Sequence, residues 1–199
     1  FMCAIATRIN VIPRHMDIEN HKCNCGYIYT HNHEASIEHI LRCDMSTSYT
    51  HTLGHNLVRD TIATIVRTYG IAVTSEPRCF NYTDGVKHRP DLLFHTQPFA
   101  LATDVTMVHT DVDLATAEQD KRNTHSKACE AANTIFTPFA MYTRGTLGNA
   151  AEQLIRQLSK AIEPSLQKSF RQDIIHAVSV AAARGRASAL LSAVDRRRF

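Results

Sequence analysis

The sequence lacks any apolar run of the roughly 18 residues that a membrane span requires. It also lacks a secretory signal, an internal repeat and a low-complexity segment. We therefore expect no membrane partner and a reducing compartment. The chain opens with Phe1-Met2 and no targeting pattern, so we expect a fragment of a longer protein. Its 199 residues are 44% hydrophobic, which argues against disorder and is enough to form a core.

A strong excess of one charge is also missing. The chain carries 22 Lys and Arg against 19 Asp and Glu, a net charge of +3 with histidine counted as neutral. This balance only weakly favours an anionic partner. The 12 histidines are more informative, because several of them lie in residues 15–55, where metal or acid–base chemistry would use them.

Cysteine and histidine side chains cluster near the start of the chain. Residues 21–50 hold too few large apolar residues for a core of their own, so a bound metal is the simplest way to stabilise them. Cys23-x-Cys25 and His39-x3-Cys43 supply four ligands of the kind that zinc binds tetrahedrally. We predict a structural, non-catalytic zinc site.

Alternatives to this ligand set remain. The single residue between Cys23 and Cys25 is a tighter spacing than usual, so either the geometry is strained or one cysteine is not a ligand. His31 and His33 could then substitute. The simpler alternative is a polar loop with free cysteines. Three further cysteines have no partner at a useful spacing and are interpreted as core or incidental residues: Cys3, Cys79 and Cys129.

Apolar periodicity predicts the order helix, three strands, helix, strand, helices. The predicted ranges are 56–69, then 71–75, 91–95 and 100–109, then 113–132, 135–142, 147–162 and a helix from 166. Three consecutive strands favour an antiparallel meander, and a strand after a crossover helix favours a parallel addition. The fold class is therefore α/β, a mixed sheet flanked by helices. We predict three segments: a zinc-binding lobe over 1–50, a core over 51–148, and C-terminal helices with a basic tail over 149–199.

Two aspartates stand out against this strand pattern. Asp91 opens a predicted strand, and Asp104 interrupts an apolar run, where an unpaired carboxylate is costly. Carboxylates on neighbouring strands can share one Mg²⁺ or Mn²⁺ ion, which lowers the pKa of bound water and neutralises phosphate charge. The alternative is that Asp91 caps a turn and Asp104 pairs with a basic residue for structural reasons.

A lysine is the expected third member of such a site. On the helix predicted over 113–132, Lys121 shares the apolar stripe with His125, and a lysine there requires a carboxylate partner. Lys127 lies about 120° further round the helix, on its polar face. The helix geometry therefore favours Lys121 over Lys127.

Other charged residues near the aspartates have two interpretations. Glu76 could be a third metal ligand, but a surface glutamate ahead of Pro77 is the simpler interpretation. Several basic side chains could hold DNA phosphates or form an ordinary solvated loop: Arg78, Lys87, His88 and Arg89. His55, which we expect ahead of the first helix, could contact DNA or act as a helix cap.

Residues 23–148 resemble the restriction-like endonuclease domain of early-branching, site-specific non-LTR retrotransposons, a branch of the PD-(D/E)XK nuclease superfamily. The resemblance rests on order and spacing over roughly 125 residues. The matching stretches are Cys23-Asn24-Cys25-Gly26, His39-Ile40-Leu41-Arg42-Cys43, His55-Asn56, Glu76-Pro77, Arg89-Pro90-Asp91-Leu92, Thr103-Asp104-Val105-Thr106, Lys121-Arg122-Asn123, and Phe136-Thr137-Pro138-Phe139 with Gly145.

The resemblance implies a nuclear, metal-dependent domain that nicks target DNA to prime reverse transcription. Its partners would be DNA, RNA and the reverse transcriptase part of the same polypeptide. Asp91 and Asp104 match the family's metal-binding acids. Thr106 stands where many superfamily members have their lysine, and Lys121 matches the variant in which that lysine has moved to the following helix. The resemblance also implies a second catalytic lysine three residues after Lys121, where this chain has Thr124, and Lys127 is the candidate to take its place. The alternative functions are a catalytically decayed nucleic-acid-binding module and a structural domain of a reverse transcriptase.

Overall fold

The computed structural model describes residues 22–23, 25–28, 35–36, 39, 43–82 and 88–195. Cys3, His31, His33, Lys87 and the basic tail after Asp195 lie outside the described residues. The described chain forms two compact units. The sheet unit is Val58–Ala181, and the cysteine unit comprises the described residues up to Leu57 and from Ala182 onward.

The order of helices and strands agrees with the sequence prediction, except that the strands predicted over 100–109 and 135–142 are each divided into two. The elements are α1 (Asp44–Thr68), β1 (Val73–Ser75), β2 (Leu92–Phe94), β3 (Ala100–Thr103), β4 (Val105–Val108), α2 (Leu114–Ala131), β5 (Thr134–Phe136), β6 (Phe139–Tyr142), α3 (Asn149–Lys160), a 3₁₀ turn (Pro164–Leu166) and α4 (Gln167–Asp195). The chain is thus a mixed α/β structure in its described part.

The sheet is mixed, as predicted. β1, β2 and β3 form an antiparallel meander, and β5 adds to β3 in parallel after the α2 crossover. β4 and β6 form a second parallel ladder. Ala100 pairs with Thr134 and Val105 with Phe139, so both parallel ladders share one register. Asp104 therefore interrupts a strand without shifting its pairing.

Alternation along the strands places α2 on one face of the sheet. Leu93 and Ala102 are cross-strand partners, and both belong to a buried cluster with residues of α2. The other members of that cluster are Phe80, Ala128, Cys129 and Phe136. All three residues of β2 are buried, as expected for a strand covered on both faces. Residues of the same strand parity as Leu93 and Ala102 therefore face α2.

The first helix begins earlier than the sequence pattern indicates. We predict its start at Asn56 and place His55 ahead of it, but α1 begins at Asp44 and contains His55. Residues 44–55 are rich in Ser, Thr and His, and their only large apolar residues are Met45, Tyr49 and Leu53, so the periodic signal there is weak. Within the cysteine unit this helix packs tightly at Gly54, which is buried and whose backbone closely approaches Gly185 of α4.

Candidate metal centre and candidate active site

A tight turn carries the first two ligands of the cysteine cluster, which we define as Cys23, Cys25, His39 and Cys43. Lys22 and Ile28 form an antiparallel bridge at its base. Inside it, the Cys23 N–H donates to the Tyr27 carbonyl and the Gly26 N–H donates to the Cys23 carbonyl, both at 2.8 Å. Gly26 has a φ of +95°, which glycine adopts without the strain that a Cβ would cause.

The other two ligands, His39 and Cys43, lie four residues apart. The Cys43 N–H donates to the His39 carbonyl at 2.9 Å, which brings these two residues close together. The ring of Tyr27 stacks on that of His39 with centroids 3.9 Å apart and only 7° between planes. This stacking holds the imidazole beside the cysteine turn.

The four donor atoms are spaced as a tetrahedral metal requires. Cys23 Sγ lies 3.6 Å from Cys43 Sγ, and Cys25 Sγ lies 3.3 Å from His39 Nε2. All four donor atoms lie within 4.8 Å of one another. A tetrahedron with Zn–S bonds of about 2.3 Å has edges of about 3.8 Å. The cluster can therefore hold a metal ion such as zinc, and Cys25 belongs to it despite the tight spacing.

The thiols of the cluster differ in acidity. Burial acts to raise the pKa of Cys23, but the Cys25 N–H and the side chains of His39 and Cys43 outweigh it and lower the pKa to about 6. For Cys25 the Tyr27 N–H acts to lower the pKa, yet desolvation and the neighbouring thiols raise it overall. The lowered pKa of Cys23 favours its thiolate, which is the form that binds zinc.

Register brings three acidic residues to one end of the antiparallel meander. Ser75 pairs with Leu92, and Leu92 pairs with Thr103. One position further along, Glu76, Asp91 and Asp104 therefore lie side by side, and the Glu76 N–H donates to the Asp91 carbonyl at 2.8 Å. Directly opposite residues of an antiparallel pair share a face. By parity with Leu93 and Ala102, Asp91 and Asp104 lie on the face covered by α2.

Asp104 is paired with a cation from α2. Its side chain is only 9% exposed, and Lys121 Nζ lies 2.5 Å from its Oδ2. His125 Nε2 lies 3.7 Å from its Oδ1. A buried carboxylate is costly unless it is paired, and Lys121 meets that requirement. Because Lys121 lies on the face of α2 that packs on the sheet, it meets Asp104, as the sequence predicts.

Asp91 is anchored beside Asp104. Its Oδ2 accepts a hydrogen bond from the Val105 N–H at 2.6 Å, so the carboxylate reaches across to the residue after Asp104. We call Asp91, Asp104 and Lys121 the acidic site. A hard dication prefers carboxylate oxygens such as those of the two aspartates.

Glu76 is held by arginines. Arg59 Nη1 lies 3.1 Å from its Oε1 and Arg89 Nη1 lies 3.4 Å from its Oε2. Its side chain is 49% exposed, and its φ of +46° is unusual for a residue other than glycine. Among the described residues, the three acidic side chains do not converge within 4.8 Å as the cysteine cluster does. The geometry thus favours the arginine-paired surface role for Glu76 over a metal ligand.

A buried histidine lies behind Asp104. His125 Nδ1 lies 2.6 Å from the Tyr82 hydroxyl, and only 3% of the residue is exposed. Desolvation, followed by the nearby Lys121 and His88, lowers the pKa of His125 to about 4. The ring is therefore neutral at neutral pH. Sequence periodicity placed His125 on the buried stripe, but nothing in the pattern indicated Tyr82.

A further buried carboxylate has a structural role. Glu118 Oε1 accepts from the Ala150 N–H at 2.9 Å, at the N-terminus of α3, where negative charge is stabilising. Gly148 makes room for it, because a Cβ there would collide with the Glu118 carboxylate. Glu118 was not selected from sequence, since a glutamate on a helix carries no local signal of burial.

The remaining predicted residues are exposed or lie elsewhere. Lys127 is exposed and forms no ion pair with another described residue. Arg78 and Arg89 are exposed in the sheet unit, as phosphate-binding residues must be. His55 belongs to the cysteine unit, where its Nδ1 lies 3.3 Å from Asn56 Oδ1. The structure therefore favours Lys121 over Lys127.

Comparison of the chain with protein-family models gives no match, and comparison with curated proteins gives none either. Within the described residues, every helix is too short or too polar to cross a membrane. Function is therefore inferred from the geometry of the two sites.

Proposed function

We propose that the chain is a divalent-metal-dependent DNA endonuclease domain of a retrotransposon protein, which nicks target DNA to prime reverse transcription. One observation carries the proposal: the sheet register places Asp91 beside Asp104, and α2 presents Lys121 to Asp104. Two carboxylates and a lysine at one strand end are the groups that metal-assisted phosphodiester hydrolysis uses.

The topology supports the restriction-endonuclease-like fold within this proposal. α1 precedes an antiparallel meander of three strands, and α2 then leads to a parallel strand. This is the order that apolar periodicity predicts for the chain, and a mixed sheet with a crossover helix is compatible with such a fold. Asp91 and Asp104, which the resemblance assigns as metal-binding acids, lie directly before β2 and directly after β3.

Each residue of the acidic site has a distinct role in this chemistry. Mg²⁺ or Mn²⁺, when bound, supplies charge neutralisation and lowers the pKa of a bound water. Asp91 and Asp104 provide the oxygen ligands, and the hydrogen bond from Val105 to Asp91 holds the first of these in place. Lys121 orients the attacking water or stabilises negative charge on the phosphate.

The flanking features fit a nucleic-acid partner. Arg59 and Arg89 flank the acidic site through Glu76, and Arg78 is exposed nearby along the chain. Guanidinium groups bind phosphates and position DNA without identifying its sequence. The cysteine cluster, filled with zinc, would stabilise a small lobe that shapes a binding surface for target DNA or element RNA. A nuclear location follows from that role.

Plasmid nicking tests the proposal. The purified chain, incubated with supercoiled plasmid and MgCl₂ or MnCl₂, is expected to produce open circles that EDTA prevents. Asp91→Asn and Asp104→Asn should each reduce the nicking rate by at least about 100-fold. Asp120→Asn is the matched control, because Asp120 is exposed on α2. Undiminished nicking in both aspartate variants would overturn the proposal.

A second function is favoured by one specific observation. Asp104 is already paired with Lys121, and Glu76 with two arginines. That arrangement suits a catalytically decayed, zinc-stabilised module that binds nucleic acid or supports a reverse transcriptase. Tight DNA binding by the wild-type chain, with no nicking in Mg²⁺ or Mn²⁺, would establish this alternative.

A further inference from the structure

We propose that His125, held by Tyr82, is a positioning residue that fixes the carboxylate of Asp104 for metal binding. The inference rests on the proposed function, because it assigns Asp104 the role of a metal ligand. It adds two residues, Tyr82 and His125, that act through Asp104.

The contacts form a short chain of polar groups across the buried side of the acidic site. The Tyr82 hydroxyl lies 2.6 Å from His125 Nδ1, and His125 Nε2 faces Asp104 Oδ1 at 3.7 Å. Lys121 lies against the other oxygen, Oδ2. Asp104 is thus bracketed by two groups of α2, one on each oxygen.

The chemistry of Tyr82, His125 and Asp104 decides which of these groups donates a hydrogen and which accepts it. A carboxylate favours a donor, so the His125 Nε2–H faces Asp104 and Nδ1 accepts from the Tyr82 hydroxyl. The 3.7 Å separation is too long for a hydrogen bond and is an electrostatic contact. An imidazole with its Nε2–H toward Asp104 places a partial positive charge next to the carboxylate.

Packing fixes the orientation of the His125 imidazole. His125 is 3% exposed, and its ring lies 5.1 Å from that of Phe136 and 6.3 Å from that of His88, measured between centroids. Tyr82 also contacts His88, with ring centroids 5.4 Å apart. A side chain locked in this way limits the rotation of the carboxylate that it faces, as outer groups do at established metal sites.

Manganese binding tests the proposal with a measurement independent of DNA cleavage. The zinc-loaded full chain is titrated calorimetrically with MnCl₂, and the MnCl₂ concentration for half-maximal plasmid nicking is measured in parallel. Tyr82→Phe removes only the hydroxyl, and His125→Leu removes both ring nitrogens. Each is expected to raise the Mn²⁺ dissociation constant about tenfold, and the half-maximal concentration by the same factor.

Two controls separate positioning from general structure. Tyr142→Phe removes another tyrosine hydroxyl in the sheet unit and should leave Mn²⁺ binding unchanged. His125→Gln, which can restore an N–H toward Asp104, should recover most of the affinity that His125→Leu loses. Should His125→Leu fail to fold, Tyr82→Phe still tests the idea, because it keeps the ring and its packing.

The outcomes distinguish this inference from the proposed function. Normal Mn²⁺ affinity in Tyr82→Phe, alongside wild-type nicking, would overturn the positioning role and leave the nuclease intact. Asp104-dependent Mn²⁺ binding that weakens in Tyr82→Phe, in a chain that never nicks, would support positioning and overturn the nuclease. Absence of Asp104-dependent Mn²⁺ binding in the wild type would overturn both.

Discussion

Lys121 Nζ lies 2.5 Å from Asp104 Oδ2, which joins a partly exposed cation on α2 to a carboxylate that is only 9% exposed on the sheet. The contact links the two features that the sequence makes anomalous, an acid in an apolar strand and a lysine on an apolar helical stripe. Each residue offsets the burial cost of the other. The pair is therefore both a structural element and the centre of the proposed chemistry.

The two lysines of α2 should behave differently. Lys121→Met leaves Asp104 without its cation, so we expect nicking to fall at least about 100-fold and the unfolding free energy by roughly 1–3 kcal/mol. Lys127→Met is the matched control, because Lys127 is exposed on the same helix. Rates are measured well below the melting temperature of each variant. Equal losses in both variants would contradict the assignment of Lys121.

Zinc content should follow the cysteine cluster. Elemental analysis of the purified chain is expected to give one zinc per molecule, and Cys43→Ser should lose it, because three ligands rarely retain structural zinc. Cys79→Ser replaces an exposed cysteine outside the cluster and should keep its zinc. Full zinc occupancy in Cys43→Ser would show that Cys43 is not a ligand.

Glu118 should stabilise α3 by accepting a hydrogen bond at the N-terminus of that helix. Glu118→Ala removes the acceptor of the Ala150 N–H and leaves that donor buried, so we expect a loss of about 1–3 kcal/mol in urea unfolding. Glu130→Ala, at an exposed position of the same helix, should change stability by less than about 0.5 kcal/mol. Matching losses in the two variants would rule out the capping role.

An alanine at Gly185 should destabilise a helix, although the same change usually stabilises one. A Cβ at Gly185 would lie 2.7 Å from Gly54 Cα, a distance that requires the backbone to move. Gly→Ala in a helix interior ordinarily contributes about 0.5–1 kcal/mol of stability. We expect a loss of roughly 1–3 kcal/mol instead, measured by thermal unfolding. A raised melting temperature would show that the helices do not cross there.

Cys129 should be unreactive while the chain is folded. The residue is fully buried, and this burial, with a smaller contribution from Cys79, raises its pKa to about 12. At about pH 8, iodoacetamide should therefore modify the exposed Cys79 and spare Cys129. Mass spectrometry of peptides from native and urea-unfolded protein makes the comparison, and rapid native labelling of Cys129 would contradict its burial.

The Cys129 thiol should also make the unfolding free energy fall as the pH rises above 9. Because the folded pKa of about 12 exceeds the ordinary value of 9.0, stability from the neutral thiol is complete below pH 9 and falls as the pH rises towards 12. We expect about 1 kcal/mol to be lost between pH 8 and pH 10 in urea unfolding. Cys129→Ala should not show this loss of unfolding free energy between pH 8 and pH 10. If the variant loses as much as the wild type, Cys129 is not its source.

Much of the described fold could be predicted because its signals are local. The apolar runs in residues 91–94 and 100–108 follow from burial of the strands, and the stripe on α2 follows from burial of one face of the helix. That stripe also determines that Lys121, rather than Lys127, faces the sheet. The cysteine cluster was predictable for a similar reason, since a ligand turn and an i, i+4 pair are both short-range patterns.

Other features depend on contacts between distant parts of the chain. The close approach of Gly54 to Gly185 joins residues that no local sequence window contains together. The pairing of Glu76 with Arg59 and Arg89 depends on how a turn presents its side chains. Tyr82 lies in a loop without periodicity, so its contact with His125 had no sequence signal.

The sequence by itself determined the order of the elements, the face that each presents, and the residue types available for metal chemistry, because hydrophobic spacing and ligand spacing are properties of short segments. Only the tertiary structure decided which charges meet. Strand register set Asp91 beside Asp104, and crossover packing brought Lys121 to Asp104 and His125 behind it. The cost of burying a charge depends on its final neighbours, and those neighbours exist only once the sheet and α2 have assembled.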